Sequence, residues 1–133
     1  MNIEILALCD AATDQQGKLN LLGAFDCIFA RQVPVVHPQC SVALRIRFRR
    51  IESGAHRIKI SFVDEDGKPV VPSLDANVNV QINEPDESAV TNVVLNLQQL
   101  KFEKLGHYSL DVAIDGRHEG STPLFVRQAP SSA

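Results

Sequence analysis

Val42-Ala43-Leu44-Arg45-Ile46-Arg47-Phe48-Arg49 is the stretch on which the fold turns. Apolar side chains occupy Val42, Leu44, Ile46 and Phe48, while Ala43 and three arginines fill the alternate positions. A period of two sends these sets to opposite faces of a β-strand, one apolar and one basic. Ile58, Ile60 and Phe62 alternate with Arg57, Lys59 and Ser61 in the same way. Glu52-Ser53-Gly54-Ala55-His56 between the two runs suits a hairpin loop, which would place Arg57 and Lys59 opposite the arginines.

The same habit extends along the chain. Leu74, Ala76, Val78, Val80 and Ile82 alternate with Asp75, Asn77, Asn79 and Gln81, and asparagine is a poor helix former. Thr91 to Leu97 reads as a strand, as do Tyr108, Leu110, Val112 and Ile114. The dipeptide Asp115-Gly116 then gives a tight turn. A last strand covers Glu119 to Arg127, where Pro123 implies an edge or a bulge because proline cannot donate to a ladder. Toward the N-terminus, Ile3 to Asp10 is a strand and Asp14 to Gly17 a turn. Lys18 to Val33 reads as one long strand with a bulge or bend at Gly23, ended by Pro34 and Pro38. Leu22 and Ile28 fall on the face opposite Leu19, Leu21, Phe25 and Phe29, so that strand is expected to be central or covered by a partner. Leu97 to Leu105 is the best helix candidate, about one turn. Ala129 to Ala133 reads as a frayed, disordered tail.

About eight strands with turn signals between them predict one all-β domain over residues 1–128, an antiparallel Greek-key β-sandwich. Leu105-Gly106-His107-Tyr108 before an alternating strand looks like a tyrosine corner, with Tyr108 and Gly106 in structural roles. That feature favours immunoglobulin-like topology, with a jelly roll as the alternative.

The totals narrow the function classes. The 133 residues are 44% hydrophobic and 22% charged, with a net charge of −3. This is the balance of a globular protein with no global pull toward nucleic acid or an anionic membrane. Met1-Asn2-Ile3-Glu4 lacks the basic start of a secretory signal, and no run of about 18 uncharged apolar residues predicts a membrane span. Three cysteines, an odd number, favour free thiols in a reducing cytoplasm.

Candidates for chemistry are few. His37 and Cys40, with Cys9 and Cys27 brought near in space, would be the ligands of any metal site, but no CxxC or HxxxH spacing supports one. His37, His56, His107 and His118 each sit at or near a loop or turn, without the His-x-His pair of a cupin barrel. Asp64-Glu65-Asp66-Gly67 reads as a charged turn rather than a calcium loop. No G-x-S-x-G elbow and no phosphate loop is present, so neither catalysis nor a cofactor is expected. The one feature to single out is basic: Arg45, Arg47, Arg49, Arg57 and Lys59 as a candidate binding stripe. Nucleic-acid-binding sheets interleave stacking aromatics with basic residues, and here Phe48 falls on the opposite face. No nucleic-acid partner is therefore expected.

Three stretches together carry a family resemblance. They are Leu8-Cys9-Asp10-Ala11-Ala12 followed by Lys18-Leu19-Asn20-Leu21-Leu22-Gly23-Ala24-Phe25-Asp26, then Phe62-Val63-Asp64-Glu65-Asp66-Gly67, then Gly106-His107-Tyr108 leading to Ile114-Asp115-Gly116. Over about residues 3 to 127 the chain resembles an uncharacterised family of small bacterial proteins known only as a domain of unknown function. The resemblance implies a cytoplasmic bacterial β-domain and brings no activity, cofactor or catalytic residue. The expected function is a non-enzymatic protein-interaction or structural module, a homodimer through Leu6, Leu8, Leu22 and Ile28 or bound to an unidentified protein. The alternatives are a domain for a small anionic or carbohydrate-like ligand and a metal-dependent enzyme.

Overall fold

The computed structural model describes residues 1–130 and is built almost entirely from strands. In chain order they are β1 (Asn2–Gln15), β2 (Lys18–Ala24), β3 (Cys27–Ala30), β4 (Val35–Arg49), β5 (Gly54–Val63), β6 (Leu74–Val80), β7 (Ser88–Phe102), β8 (Gly106–Ile114) and β9 (Arg117–Gln128). A single 3₁₀ turn, Arg50–Glu52, links β4 to β5. Sheet A has the order β2-β1-β4-β7, and sheet B the order β3-β9-β8-β5-β6. All pairs are antiparallel except β3 with β9.

One core fills the space between the sheets. Val42, Leu44, Ile46 and Phe48 of sheet A are wholly buried there with Ile58, Ile60 and Phe62 of β5, Leu110 and Val112 of β8, and Leu124 and Val126 of β9. Burying each large apolar side chain stabilises the fold by about 1.5–3 kcal/mol relative to exposing it. Phe102 packs edge-on against both Phe62 and Tyr108, at centroid distances of 5.9 and 4.9 Å. The Tyr108 hydroxyl donates to the Lys104 carbonyl at 2.6 Å, tying β8 to the connection that precedes it.

Several expectations are corrected. The Arg45 and Lys59 strands are consecutive but do not form a hairpin: β4 pairs with β1 and β7, and β5 pairs with β6 and β8. The helix expected over Leu97 to Leu105 is absent, because β7 runs on to Phe102 opposite Val35 of β4. The expected long strand from Lys18 to Val33 breaks at Phe25 and Asp26, and its halves join different sheets. Pro38 does not end a strand. It lies within β4, where β1 has already departed after Ser41, so its missing N–H leaves no partner unsatisfied. Pro123 is likewise tolerated within β9, because β3 pairs only from Phe125 onward. The expected frayed tail falls on residues 131–133, outside the described residues, and on Ala129 and Pro130; Ala129 itself donates to the Ala30 carbonyl at 2.8 Å.

The β1–β2 hairpin has a second role. Arg45 pairs with Ile5 in the ladder, yet its guanidinium also reaches the Gly17 carbonyl at the hairpin tip, 3.5 Å away. Asn92 donates to the same carbonyl at 3.1 Å and to Asp14 Oδ1 at 3.3 Å. The hairpin therefore doubles back over the outward side of sheet A. This covering buries Cys9, Ser41 and Ala43 although they point away from the core, and it explains why those positions hold small residues. Gly23, at φ +70°, sits against the Asp10 side chain in this hairpin, and any Cβ there would collide with it.

Replacing Tyr108 with Phe should lower unfolding stability by about 1 kcal/mol through loss of the bond to Lys104. Urea denaturation would show it as a lower midpoint at unchanged slope.

Candidate functional site

Three groups of side chains hold the polar chemistry of the molecule. The first is the arginine row on β4. Arg45 Nε and Arg47 Nε donate to the two oxygens of the same carboxylate, Glu4, at 2.9 and 2.7 Å. The Arg47 and Arg45 guanidiniums hold the Glu4 carboxyl below its ordinary value. Arg45 also bonds Asn92, and Arg47 bonds Ser88. Two of the three arginines are thus consumed inside the protein. Arg49 is the open one, its side chain 70% exposed, with a long 3.7 Å contact to Glu52. Arg49 and Arg50 line a shallow cleft of about 660 Å³ with Ile51, Glu87 and Ser88. Arg57 and Lys59 belong to sheet B, so the five basic residues do not form one stripe; Arg57 pairs with Asp75 at 3.3 Å.

The second group is a clamp around His56. Its Nδ1 lies 2.6 Å from Asp115 Oδ2 and its Nε2 lies 2.6 Å from the Glu52 carbonyl. Both partners only accept, so both ring nitrogens must donate, and the geometry suits the imidazolium. The Glu52 carbonyl and then the Asp115 carboxylate raise the His56 pKa above its ordinary 6.5. The backbone N–H of Arg57 and the His56 ring lower that of Asp115. The ring stacks on Phe48 at 4.7 Å, so a surface clamp is braced by the core. It fastens the 3₁₀ turn and the β8–β9 turn to β5.

The third group lies on the outward face of sheet B at its β3 end. The ladder sets His107 opposite Phe125, Phe125 opposite Cys27, and Arg127 opposite Phe29. Alternation puts these five side chains outside, while Ile28, Tyr108, Leu124 and Val126 point into the core. Phe29 is 60% exposed. The Arg127 guanidinium lies 4.8 Å over the Phe125 ring, and His107 meets that ring edge-on at 5.0 Å. Glu65 stays close by accepting the His107 N–H at 2.8 Å, which requires Gly106 to have no side chain. Sequence reading missed this group because its members come from strands almost a hundred residues apart.

The residues considered for metal binding do not converge. Among the described residues, no three His, Cys, Asp or Glu side chains are placed to hold an ion. Cys9 and Cys40 are buried, and burial raises both thiols, Cys40 to about 11. A thiol held protonated is a poor nucleophile. Cys27 is half-buried on the other sheet, and the His37 ring lies beside Phe25. In the acidic turn, Asp64 Oδ1 accepts the N–H groups of Asp66 and Lys68, so it closes its own loop.

An all-β chain of two sheets around one core, with its polar groups on outer faces, is the class of protein defined here. Residues 4–127 match a family of unknown function, DUF6941, and the chain belongs to it. Among curated proteins none matches. Among solved structures, the fold is similar to part of the Pseudomonas fluorescens alkylpurine DNA glycosylase AlkC bound to DNA containing an abasic site analog. The TM-score is 0.56 at 9% identity, over 95% of this chain and 30% of that one. At that identity the likeness concerns the fold alone. No helix is long and apolar enough to cross a membrane among the described residues.

The expected partners are corrected by this neighbour: the fold occurs in a chain bound to DNA, so excluding nucleic acid does not stand. The exclusion leaned on a whole-chain charge and on Phe48, whereas Phe29 and Phe125 share their face with Arg127. Of the four residues expected to pair between subunits, Leu8 and Ile28 are buried in this chain's own core and Leu6 packs against it, while Leu22 alone is exposed, at 71%, so the homodimer expectation loses most of its basis.

His56 carries a pH prediction. Its raised pKa means that its contribution to stability is full below about 6.5 and fades as pH rises through the folded value. The melting temperature should fall over that range, and His56→Gln should flatten the fall. Glu4→Gln should free Arg45 and Arg47, and the variant should leave a heparin column at higher salt than the parent protein.

Proposed function

We infer that this chain is a non-catalytic recognition module that engages a partner across an open strand face rather than inside a pocket. The observation that carries the reading is the outward face of β3, β9 and β8. An exposed Phe29 there stands in register with Arg127, beside a Phe125 ring already braced by a cation and an imidazole. Large aromatics and arginine are the side chains that dominate recognition energetics, and water is a poor resting place for an exposed aromatic ring. The charge pairing elsewhere supports the non-catalytic half. Glu4, His56 and Asp64, the groups held most firmly, are engaged in fastening strands and turns. The corner bond from Tyr108 to Lys104 supports an immunoglobulin-like Greek-key assignment within the all-β class. The DNA-bound neighbour adds nucleic acid to the partner classes that such a face serves. A cytoplasmic setting fits the three unpaired thiols.

A second reading, a site for a small anion, is favoured by one observation. The cleft at the β4–β5 turn offers Arg49 and Arg50, whose contacts to Glu52, Glu84 and Glu87 are all long, 3.7 to 3.8 Å.

Cys27 is a built-in probe of the recognition face, since Cys9 and Cys40 are wholly buried. In purified protein a maleimide should modify Cys27 alone. In a fresh extract of the source cells the modification should be several-fold slower. Equal rates in the two settings would count against the reading.

A further inference from the structure

We propose that the outward face of β3, β9 and β8 binds single-stranded nucleic acid, stacking an unpaired base on Phe29 and holding flanking phosphates with Arg127 and Arg31. The inference rests on the recognition reading and names its partner.

The sheet itself prepares the platform. The parallel register of β3 on β9 and the antiparallel register of β9 on β8 place His107, Phe125 and Cys27 in one row and Arg127 and Phe29 in the next. Of the two rings, Phe125 is occupied, with Arg127 over its face and His107 at its edge. Phe29 is the open one, and a flat exposed ring on a sheet offers a stacking surface that any base can use. Arg31 lies two residues beyond Phe29, and its segment is held to β9 by the Gln128 amide, which donates to the Arg31 carbonyl at 2.9 Å. Among the described residues neither Arg31 nor Arg127 forms an ion pair. The contrast with Arg45 and Arg47 is direct, because Glu4 has already claimed those two. Arg127 is the ladder neighbour of Phe29 and Arg31 follows Phe29 by two residues, so cations for phosphate and an open ring for a base belong to one stretch of the sheet.

Other occupants fit less well. Duplex bases are held in their stack and cannot reach a ring lying in a sheet surface. A protein partner needs a wide apolar centre. Here Phe29, 60% exposed, has Arg127 as its ladder neighbour, so the face presents a ring beside a cation rather than a wide apolar centre.

The test is fluorescence anisotropy with a labelled oligothymidylate of about twelve nucleotides and with a duplex of the same length. The single strand should bind with a dissociation constant between about 1 and 100 µM, tighter than the duplex. Raising salt from about 50 to 200 mM should weaken binding about sevenfold, the slope for two phosphates neutralised on a single strand. Phe29→Ala, at an exposed position that leaves the fold intact, should weaken it about tenfold. Arg31→Ser should roughly halve the salt slope, and Leu22→Ala on the β1–β2 hairpin should change nothing. No anisotropy rise at about 100 µM protein, or equal binding by Phe29→Ala, would overturn the proposal. The Cys27 assay separates the two levels. Protection in extract that disappears with nuclease supports nucleic acid. Protection that survives nuclease overturns this inference and keeps the recognition reading. No protection at all removes both.

Discussion

The apolar side of β4 is the constraint to which everything else answers. Val42, Leu44, Ile46 and Phe48 are fully buried on a strand with neighbours on both edges, and sheet B exists to cover them. Because side chains alternate, a strand that commits these four residues inward must send Ser41, Ala43, Arg45 and Arg47 outward. The outward side then needs its own solution. The β1–β2 hairpin supplies it by folding over Ser41 and Ala43, and its tip is held by Arg45 and Asn92. The basic row is thus part of the scaffold: Glu4 sits between two guanidiniums, and a third contact fastens the hairpin.

Much of the charge on this protein is spent in that manner. Glu4 joins β1 to β4, His56 joins the β4–β5 link to the β8–β9 turn, and Asp64 closes the loop after β5. Each exposed pair contributes little by itself, since solvent screens it. Their value is positional, as they set where the hairpin and turns lie. The β3 end of sheet B is different in kind. Its aromatic and cationic side chains stack on each other, its nearby carboxylate, Glu65, is engaged by the His107 N–H, and Phe29 is 60% exposed. A surface that could have been polar at no cost to the core is instead apolar and basic, which is why the functional reading is placed there.

Strand type was legible from local pattern at Val42 to Phe48, at Ile58 to Phe62 and at Tyr108 to Ile114, and the structure has strands at all three. The reading failed where a local signal had two meanings. Leu97, Leu100 and the two glutamines between them suited a helical turn, yet β4 offered Val35, Val36 and His37 as ladder partners, and tertiary pairing prevailed. Gln99 takes φ +56° within that strand, and the register on either side of it is unbroken. Pro38 looked like a stop and Pro123 like the mark of an edge or a bulge. They are admitted because one side of each strand is free at that point.

Membership of the all-β class, the inward set of each strand and the turn at Asp115-Gly116 were determined by sequence alone, because each depends only on neighbours a few residues away. Which strand lies beside which was decided by the tertiary structure. A period-two pattern reads the same whatever partner it meets, so nothing local separates β4 from β5 or joins Phe29 to Arg127. The split of the basic residues between two sheets and the assembly of His107, Phe125, Arg127 and Phe29 on one face follow from long-range register. Register is settled by how two apolar faces close on each other, and that closure is a property of the whole chain.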